Sequence, residues 1–265
     1  MRFLSGIFLS ALLGLALPAH AAPDAKLDIA GVRIGMTEAE ARAALTAFDP
    51  GLTVTAVASV FNYRDGVNML QSPEFLDRLE GKVGRNGDPN LKVYFSGPVG
   101  EVRVIGVSRA FRSLDAPPTS AQFLQSLAAK YGPLSGFSRD KQRHPVWESD
   151  GRPSCIRGRG GMKNAVWIDL DSSFGPGLMA SSSAQAFLSA RSSAVTHKGL
   201  LPSDLTQCGA YLGYYYFGDP VRSFEAELFD LGAVVATQRS REAWVNQLQA
   251  DAVRKREGQG QTPKL

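Results

Sequence analysis

The chain has 265 residues, of which 44% are hydrophobic and 20% are charged, and its formal net charge is +4. This composition is that of a globular protein and excludes a disordered or collagen-like chain. Lysine and arginine are spread along the sequence without a dense basic tract, so we expect no nucleic acid as a partner. The length allows one large domain or two small ones.

The N-terminal residues have the features of a secretory signal peptide. Arg2 supplies a positive charge, and residues 3–17 form an apolar run that is short for a membrane span. Ala19-His20-Ala21 has the small-residue pattern of a cleavage site. We predict that residues 1–21 are removed near Ala21 and that the mature protein is periplasmic or secreted, without a transmembrane segment. The remaining chain is predicted as halves 22–117 and 118–257, or as one continuous domain, with a flexible tail at 258–265.

Local sequence signals predict the first secondary-structure elements of the mature chain. Thr37, followed three residues later by Glu40, predicts the capping box of a first helix. Residues 52–60 are rich in strand-forming residues and 63–66 predict a turn or loop. Ser72 followed by proline predicts the start of a second short helix. The apolar positions of that predicted helix are Phe75, Leu76 and Leu79.

The clearest structural pattern is a strand hairpin followed by a capped helix. Residues 91–111 alternate apolar and polar around a turn at 97–100. The alternation shifts phase beside Gly106, which predicts either a β-bulge there or a strand buried on both faces. The following helix is predicted to begin after a capping box at Thr119 and to end at Gly132.

The second half continues with a predicted strand at 145–148, a strand pair at 208–217 and 221–228, and a final helix capped by Asp230. Neither a hairpin nor an amphipathic helix can bury its apolar face alone. The element order therefore predicts an α+β fold, an antiparallel sheet with helices packed on one face. The order is also consistent with two helix–helix–sheet pseudo-repeats that divide near Pro117.

Two motifs resemble those of a known group of proteins. They are Gly31-x-x-x-Gly35-Met36-Thr37-x-x-Glu40-Ala41 at the first helix and Lys130-Tyr131-Gly132-Pro133 at the end of a later one. The chain resembles the β-lactamase-inhibitor-like superfamily of exported bacterial proteins, which includes the small lipoproteins of outer-membrane protein assembly. The resemblance implies helix–loop–helix units followed by antiparallel sheet, sometimes in tandem. The chain lacks the lipobox cysteine of the lipoproteins, and nothing in it matches the loops that plug a β-lactamase.

The chain has two cysteines, Cys155 and Cys208. An isolated pair in an exported protein predicts a disulfide. Closing a loop of about 50 residues would stabilise the fold by about 4 kcal/mol. Their spacing does not favour the alternative, a reactive thiol pair of the Cys-x-x-Cys kind.

Residues that could catalyse a reaction or bind a metal are few. His144 and His197 have no histidine or cysteine at metal-ligand spacing. No Gly-x-Ser-x-Gly motif lies between a strand and a helix. Asp169 and Asp171 are interpreted as a solvated strand face rather than a catalytic pair. We therefore assign no catalytic residue, metal or cofactor, and the sequence favours a protein without enzymatic activity.

Two clusters are candidate contacts for a partner. A basic loop could hold an anionic group, although a solvated loop fixed by the disulfide is the alternative. Its residues are Arg152, Arg157, Arg159 and Lys163. A run of tyrosines could expose aromatic surface, although a strand packed on both sides is equally consistent. These are Tyr214, Tyr215 and Tyr216. We predict non-enzymatic binding of an envelope protein partner; the alternative is an exported hydrolase whose active site is not visible in the sequence.

Overall fold

The structure is a computed structural model that describes residues 27–83, 90–112, 116–137, 145–149, 151–152 and 205–259. The predicted signal peptide at 1–21 lies outside these ranges. Within them the chain forms a large antiparallel sheet, a separate two-stranded hairpin and three α-helices. The prediction of an α+β fold is confirmed.

The first half of the chain contributes one helix, four strands of the main sheet and the separate hairpin. Helix α1 spans Glu38–Phe48. The main-sheet strands are β1 (Leu52–Ser59), β4 (Phe75–Val83), β5 (Leu91–Phe95) and β6 (Val104–Arg112), and the hairpin is β2 (Asn62–Arg64) and β3 (Met69–Gln71).

The second half begins with helix α2 (Ser120–Tyr131) and ends with the long helix α3 (Leu231–Gly258). Between them lie β7 (Gly136–Phe137), β8 (Pro145–Glu148), a short 3₁₀ helix (Leu205–Gln207), β9 (Ala210–Phe217) and β10 (Ser223–Asp230). Because α3 continues to Gly258, the helix reaches into the predicted C-terminal tail.

The main sheet has the strand order β1-β4-β5-β6-β10-β9-β8-β7. Each half of the chain therefore supplies a four-stranded antiparallel meander that follows a helix. The two meanders join where β6 pairs with β10, with Phe111 opposite Phe224 and Gly106 opposite Phe229. One sheet thus runs through both predicted halves, and among the described residues the order of one helix followed by four sheet strands occurs twice.

Helices cover both faces of this sheet. Helices α1 and α2 share a core with one face, as shown by the buried side chains of Leu45 and Leu127. On β4, Leu76 packs in this core, whereas the alternate residues Phe75 and Asp77 contact α3. The sequence predicts all helices on one face of the sheet; in the structure α3 lies on the opposite face.

Both predicted capping boxes are confirmed. The Thr37 hydroxyl accepts from the Glu40 N–H (3.3 Å), and the Glu40 carboxylate accepts from the Thr37 N–H (2.8 Å). Thr119 makes the same reciprocal pair with Gln122 at the start of α2. At the other end of α2, Gly132 has a φ of +86°, a conformation that glycine adopts without a Cβ clash.

The prediction of a second helix in the first half is wrong, because Phe75–Val83 is strand β4. The Ser72 hydroxyl does not cap a helix; it accepts from the Phe61 N–H at 2.9 Å and closes the base of the β2–β3 hairpin. Leu79 and Gly81 are buried at alternate positions, as the period of a strand requires, and Phe75 is buried on the other face beyond the register shift opposite Val57 and Ala58. The described residues of the first half therefore hold a single helix, and the helix–helix–sheet order of the predicted repeats does not hold among them.

The phase shift near Gly106 is a β-bulge one residue earlier than predicted. Tyr94 lies opposite Gly106 and Phe95 lies opposite Val104, so Ile105 is the additional residue. Residues 104–107 are all buried. Both alternatives left open by the sequence, a bulge and burial on both faces, thus occur together.

Candidate partner-binding site

The β2–β3 hairpin stands apart from the main sheet and carries the most exposed large apolar side chains of the described residues. Val67 is 70% exposed at its tip and Met69 is 58% exposed on β3. Exposed apolar patches on a folded surface mark contact sites for other molecules, and these two side chains lie two residues apart on one hairpin. The hairpin is therefore the candidate site, and its geometry determines how it could bind.

The tip of the hairpin is held by the carboxylate of Asp65. One carboxylate oxygen accepts from the backbone N–H groups of Val67 (2.8 Å) and Asn68 (2.7 Å), and the other accepts from the Asn68 side-chain amide (3.1 Å). These hydrogen bonds lower the pKa of Asp65, with a further contribution from the charge of Arg256. Gly66 has a φ of +97°, as the tight turn requires.

The base of the hairpin is packed against helix α3. The Phe61 ring stacks on Phe75 with 5.1 Å between centroids, and both rings meet the edge of Trp244. Phe61, Phe75 and Val245 are buried together, and Tyr63 packs against them. Helix α3 thus supports the hairpin along its inner face.

The outer face of the hairpin combines apolar and polar side chains. Because residues alternate along a strand, Tyr63 points toward α3 while Arg64 and Met69, which are paired across the hairpin, point outward. Asn62 and Gln71 lie beside them and are joined by a hydrogen bond of 3.3 Å between their amides. Methionine and arginine are enriched in protein interfaces relative to other surfaces.

The sequence analysis recognised only a turn at 63–66. A stronger signal was present, because Asp65-Gly66 is a dipeptide typical of hairpin turns. The two short runs that flank it, Asn62–Arg64 and Met69–Gln71, each have only three residues. They are too short to show a convincing period in the sequence.

The predicted basic loop is described only at Arg152. Its guanidinium donates to the carboxylate of Asp230 (2.5 Å) and to the Cys208 carbonyl (3.2 Å). Asp230 is the N-cap of α3, where its side chain accepts from the Ala233 N–H. Arg152 therefore stabilises the start of α3, and its guanidinium is already bound to a carboxylate of the same chain. The other three residues, Arg157, Arg159 and Lys163, lie outside the described residues.

The three tyrosines do not form one exposed surface. Tyr214 and Tyr216 are buried under α2, so the prediction that they present aromatic surface to a partner is wrong for these two. The Tyr214 hydroxyl hydrogen-bonds the Tyr131 hydroxyl at 2.9 Å, and burial raises the pKa of Tyr131 to about 12. Tyr215 points to the other face, where it is partly exposed and its ring lies 4.4 Å from that of Phe217.

Cys208 is buried beside the start of α3. A Cβ added at Gly232 of α3 would lie 2.5 Å from the Cys208 carbonyl oxygen, so helix and loop are in close contact there. Cys155 lies outside the described residues. The disulfide between the two stays a prediction.

The described residues lack both a cluster of metal ligands and a membrane-spanning helix. Among them no three histidine, cysteine or acidic side chains lie close enough together to hold a metal ion. In the same part of the chain, no helix combines the length and the apolar character needed to cross a bilayer. His144 and His197, like Asp169 and Asp171, lie outside it.

A scan of the chain against protein-family models finds no match, and comparisons with curated proteins and with solved structures find no similar protein.

Proposed function

We propose that this is an exported bacterial protein that binds a protein partner in the cell envelope and does not act as an enzyme. The observation that carries the proposal is the braced β2–β3 hairpin, which holds Val67 and Met69 exposed on a supported turn. Export, with cleavage near Ala21 and a periplasmic or secreted location, belongs to the same proposal and rests on the N-terminal sequence.

The rigidity of the hairpin supports a binding role. A flexible loop must lose conformational freedom when it binds, which opposes association. The Asp65 hydrogen bonds at the tip and the Phe61–Phe75–Trp244 packing at the base order this hairpin before any partner arrives. Its exposed apolar side chains would enter a partner at little further cost in backbone entropy.

The chemistry of the hairpin defines the partner surface that would fit. Val67 and Met69 call for an apolar pocket, because burying such side chains contributes about 1.5–3 kcal/mol each. Arg64, which pairs with Met69 across the hairpin, calls for a carboxylate at the rim of that pocket. We therefore expect a partner with an apolar cleft bordered by acidic side chains.

The resemblance to the β-lactamase-inhibitor-like superfamily is part of the proposal as well. The repeated order of one helix and four antiparallel strands supports it. The absence of a second helix from the described first half distinguishes this chain from the helix–loop–helix units of that group. The fold therefore adds support for a tandem architecture and leaves the function to be tested at the hairpin.

The test places a photo-crosslinking amino acid at Val67 in the full chain expressed in a bacterial envelope. The captured protein is identified, purified and titrated with the mature protein. The double variant V67E/M69E is expected to weaken the dissociation constant at least about tenfold, because two charged side chains would enter an apolar pocket.

The matched control is V99E, since Val99 is 43% exposed at the β5–β6 turn and lies outside the hairpin. Equal affinities for wild type and V67E/M69E would refute the hairpin as the binding site. A purified protein that hydrolyses ester or peptide substrates and captures no partner would instead favour the exported hydrolase.

A further inference from the structure

Arg109 occupies an unusual position on the face of the sheet that α1 and α2 cover. It lies on the central strand β6, opposite Ala226 of β10 and Leu91 of β5. Val107, two residues earlier on the same face, is buried in the core shared with the two helices. The Arg109 side chain is only partly exposed. A guanidinium has therefore been placed next to an apolar core.

Aromatic rings surround this guanidinium. Its central carbon lies 4.6 Å from the ring centroid of Phe48, 5.5 Å from that of Phe224 and 5.7 Å from that of Phe111. Phe111 and Phe224 stack on each other at 5.6 Å, and Phe123 of α2 lies 5.6 Å from Phe224. Cations are attracted to aromatic faces, so the rings hold the guanidinium in place.

The rings do not satisfy the hydrogen-bonding groups of Arg109. No carboxylate or carbonyl oxygen of the described residues accepts a hydrogen bond from it or forms an ion pair with it. The partly buried Arg78 and Arg152 and the almost completely buried Arg241 differ, because each has a carboxylate partner. Burial lowers the pKa of Arg109, yet an arginine remains charged near neutral pH.

The nearby charged groups are already engaged elsewhere. Asp49 follows α1 and interacts electrostatically with Arg109, but its carboxylate accepts from the Gly51 N–H at 2.8 Å. Lys130 of α2 is paired with Asp28 at 2.8 Å. The site therefore presents a guanidinium that has no ion-pair or hydrogen-bond acceptor among the described residues, next to the half-exposed ring of Phe48, and the charge of Asp49 acts on it from beyond ion-pair distance.

We propose that Arg109 and the phenylalanines around it form a binding site for a small organic carboxylate with an apolar body. A guanidinium presents donors in a fork that matches the two oxygens of a carboxylate. A guanidinium without an ion-pair partner among the described residues suits a monoanion, and a phosphate dianion would carry excess charge into apolar surroundings. The rings of Phe48, Phe111 and Phe224 would contact the apolar body.

This site is independent of the proposed partner-binding function. The β2–β3 hairpin packs on α3, whereas Arg109 faces the opposite side of the sheet with α1 and α2. A failure to find a protein partner therefore leaves the carboxylate site standing. Equally, a failure of carboxylates to bind says nothing against the hairpin.

The test is isothermal titration calorimetry of the full mature chain at low ionic strength. The probes are dodecanoate, an aliphatic carboxylate, and N-acetylphenylalanine, an aromatic one, with N-acetylphenylalanine amide as the neutral counterpart. We expect at least one carboxylate to bind, the amide to bind at least about tenfold more weakly than its acid if the aromatic acid binds, and salt to weaken binding.

The variant R109Q is expected to weaken carboxylate binding at least about tenfold. The control R112Q removes the same charge from an exposed residue of the same strand and should change affinity less than about twofold. F48A gives a second measurement if R109Q does not fold, because Phe48 is 43% exposed and its loss should weaken binding without unfolding the protein.

Binding of dodecanoate alone would define the ligand body as aliphatic, and binding of N-acetylphenylalanine would define it as aromatic; either supports the proposal. The proposal is overturned if neither carboxylate binds the wild-type chain. It is equally overturned if R109Q and F48A bind as tightly as wild type.

Discussion

Replacing Arg241 with methionine tests how helix α3 is fixed to the sheet. Arg241 is almost completely buried, and its guanidinium donates to the carbonyl oxygens of Gly97 (2.7 Å) and Phe95 (3.1 Å). It also lies 3.7 Å from a carboxylate oxygen of Asp77 and over the ring of Phe75. Methionine fills a similar volume but cannot donate a hydrogen bond or carry the charge.

The expected cost follows from these contacts. Hydrogen bonds to a charged group contribute about 1.5–3 kcal/mol each, and R241M removes two of them. The variant also leaves Asp77 buried with only Arg78, at 3.0 Å, to balance its charge. Breaking a buried ion pair by removing one partner costs about 3–5 kcal/mol. We therefore expect R241M to lower the free energy of unfolding by about 3–5 kcal/mol.

Urea unfolding followed by circular dichroism measures this free energy. The control is K255M, because Lys255 is an exposed residue of the same helix and its replacement should change stability by less than about 0.5 kcal/mol. In the double variant R241M/D77N the buried charge is gone as well. It should therefore lose less stability than the two single variants added together.

The stability difference between wild type and R241M should depend on pH. Burial raises the pKa of Asp77, and the charges of Arg241 and Arg78 oppose the rise. In R241M the folded-state pKa should rise further above the unfolded value. Such a group favours folding below the unfolded pKa, and this contribution is lost as pH rises through the folded pKa. The stability difference between wild type and R241M should thus be smaller in acid than at neutral pH. If R241M lowers the free energy of unfolding by less than about 1 kcal/mol at neutral pH, the prediction is wrong.

Two further predictions concern local hydrogen bonds. Thr37→Ala removes the N-cap of α1 and should lower the free energy of unfolding by about 1 kcal/mol. Thermal unfolding measures this loss, with T46A as the control at an exposed threonine of the same helix. Equal unfolding midpoints for Thr37→Ala and wild type would contradict the prediction. At the hairpin tip, the lowered pKa of Asp65 means that its hydrogen bonds persist above the unfolded pKa and are lost as pH falls through the folded pKa. Hydrogen exchange of the Val67 and Asn68 amides, corrected for intrinsic rates, should then accelerate in acid, whereas D65A should exchange fast throughout; pH-independent protection would contradict it.

The elements that sequence alone predicts correctly are those set by neighbouring residues. The capping boxes at Thr37 and Thr119 join residues three apart, and Gly132 ends α2 through its own backbone conformation. The β5–β6 hairpin likewise follows from alternation around one short turn. Each of these signals needs only a few consecutive residues.

The strand at Phe75–Val83 shows where local signals mislead. Ser72 and Pro73 match a helix start, and Phe75, Leu76 and Leu79 match a helical apolar face. Strand β4 forms because β1 and β5 pair with it on both sides, and those partners are distant in sequence. Ladder hydrogen bonds to two neighbouring strands outweigh a weak local preference.

The candidate sites depend even more on tertiary structure. In the sequence, Arg152 belongs to a basic loop and Tyr214 to a run of tyrosines. In the structure, Arg152 forms an ion pair with Asp230, and helix α2 buries Tyr214. Arg109 is only a basic residue in a strand until α1 and β10 bring phenylalanines around it. The hydrogen bonds that start and end the helices follow from neighbouring residues in the sequence. Which charged or aromatic side chains are buried, and what they contact, depends on the tertiary structure, because the contacting residues are far apart in the chain.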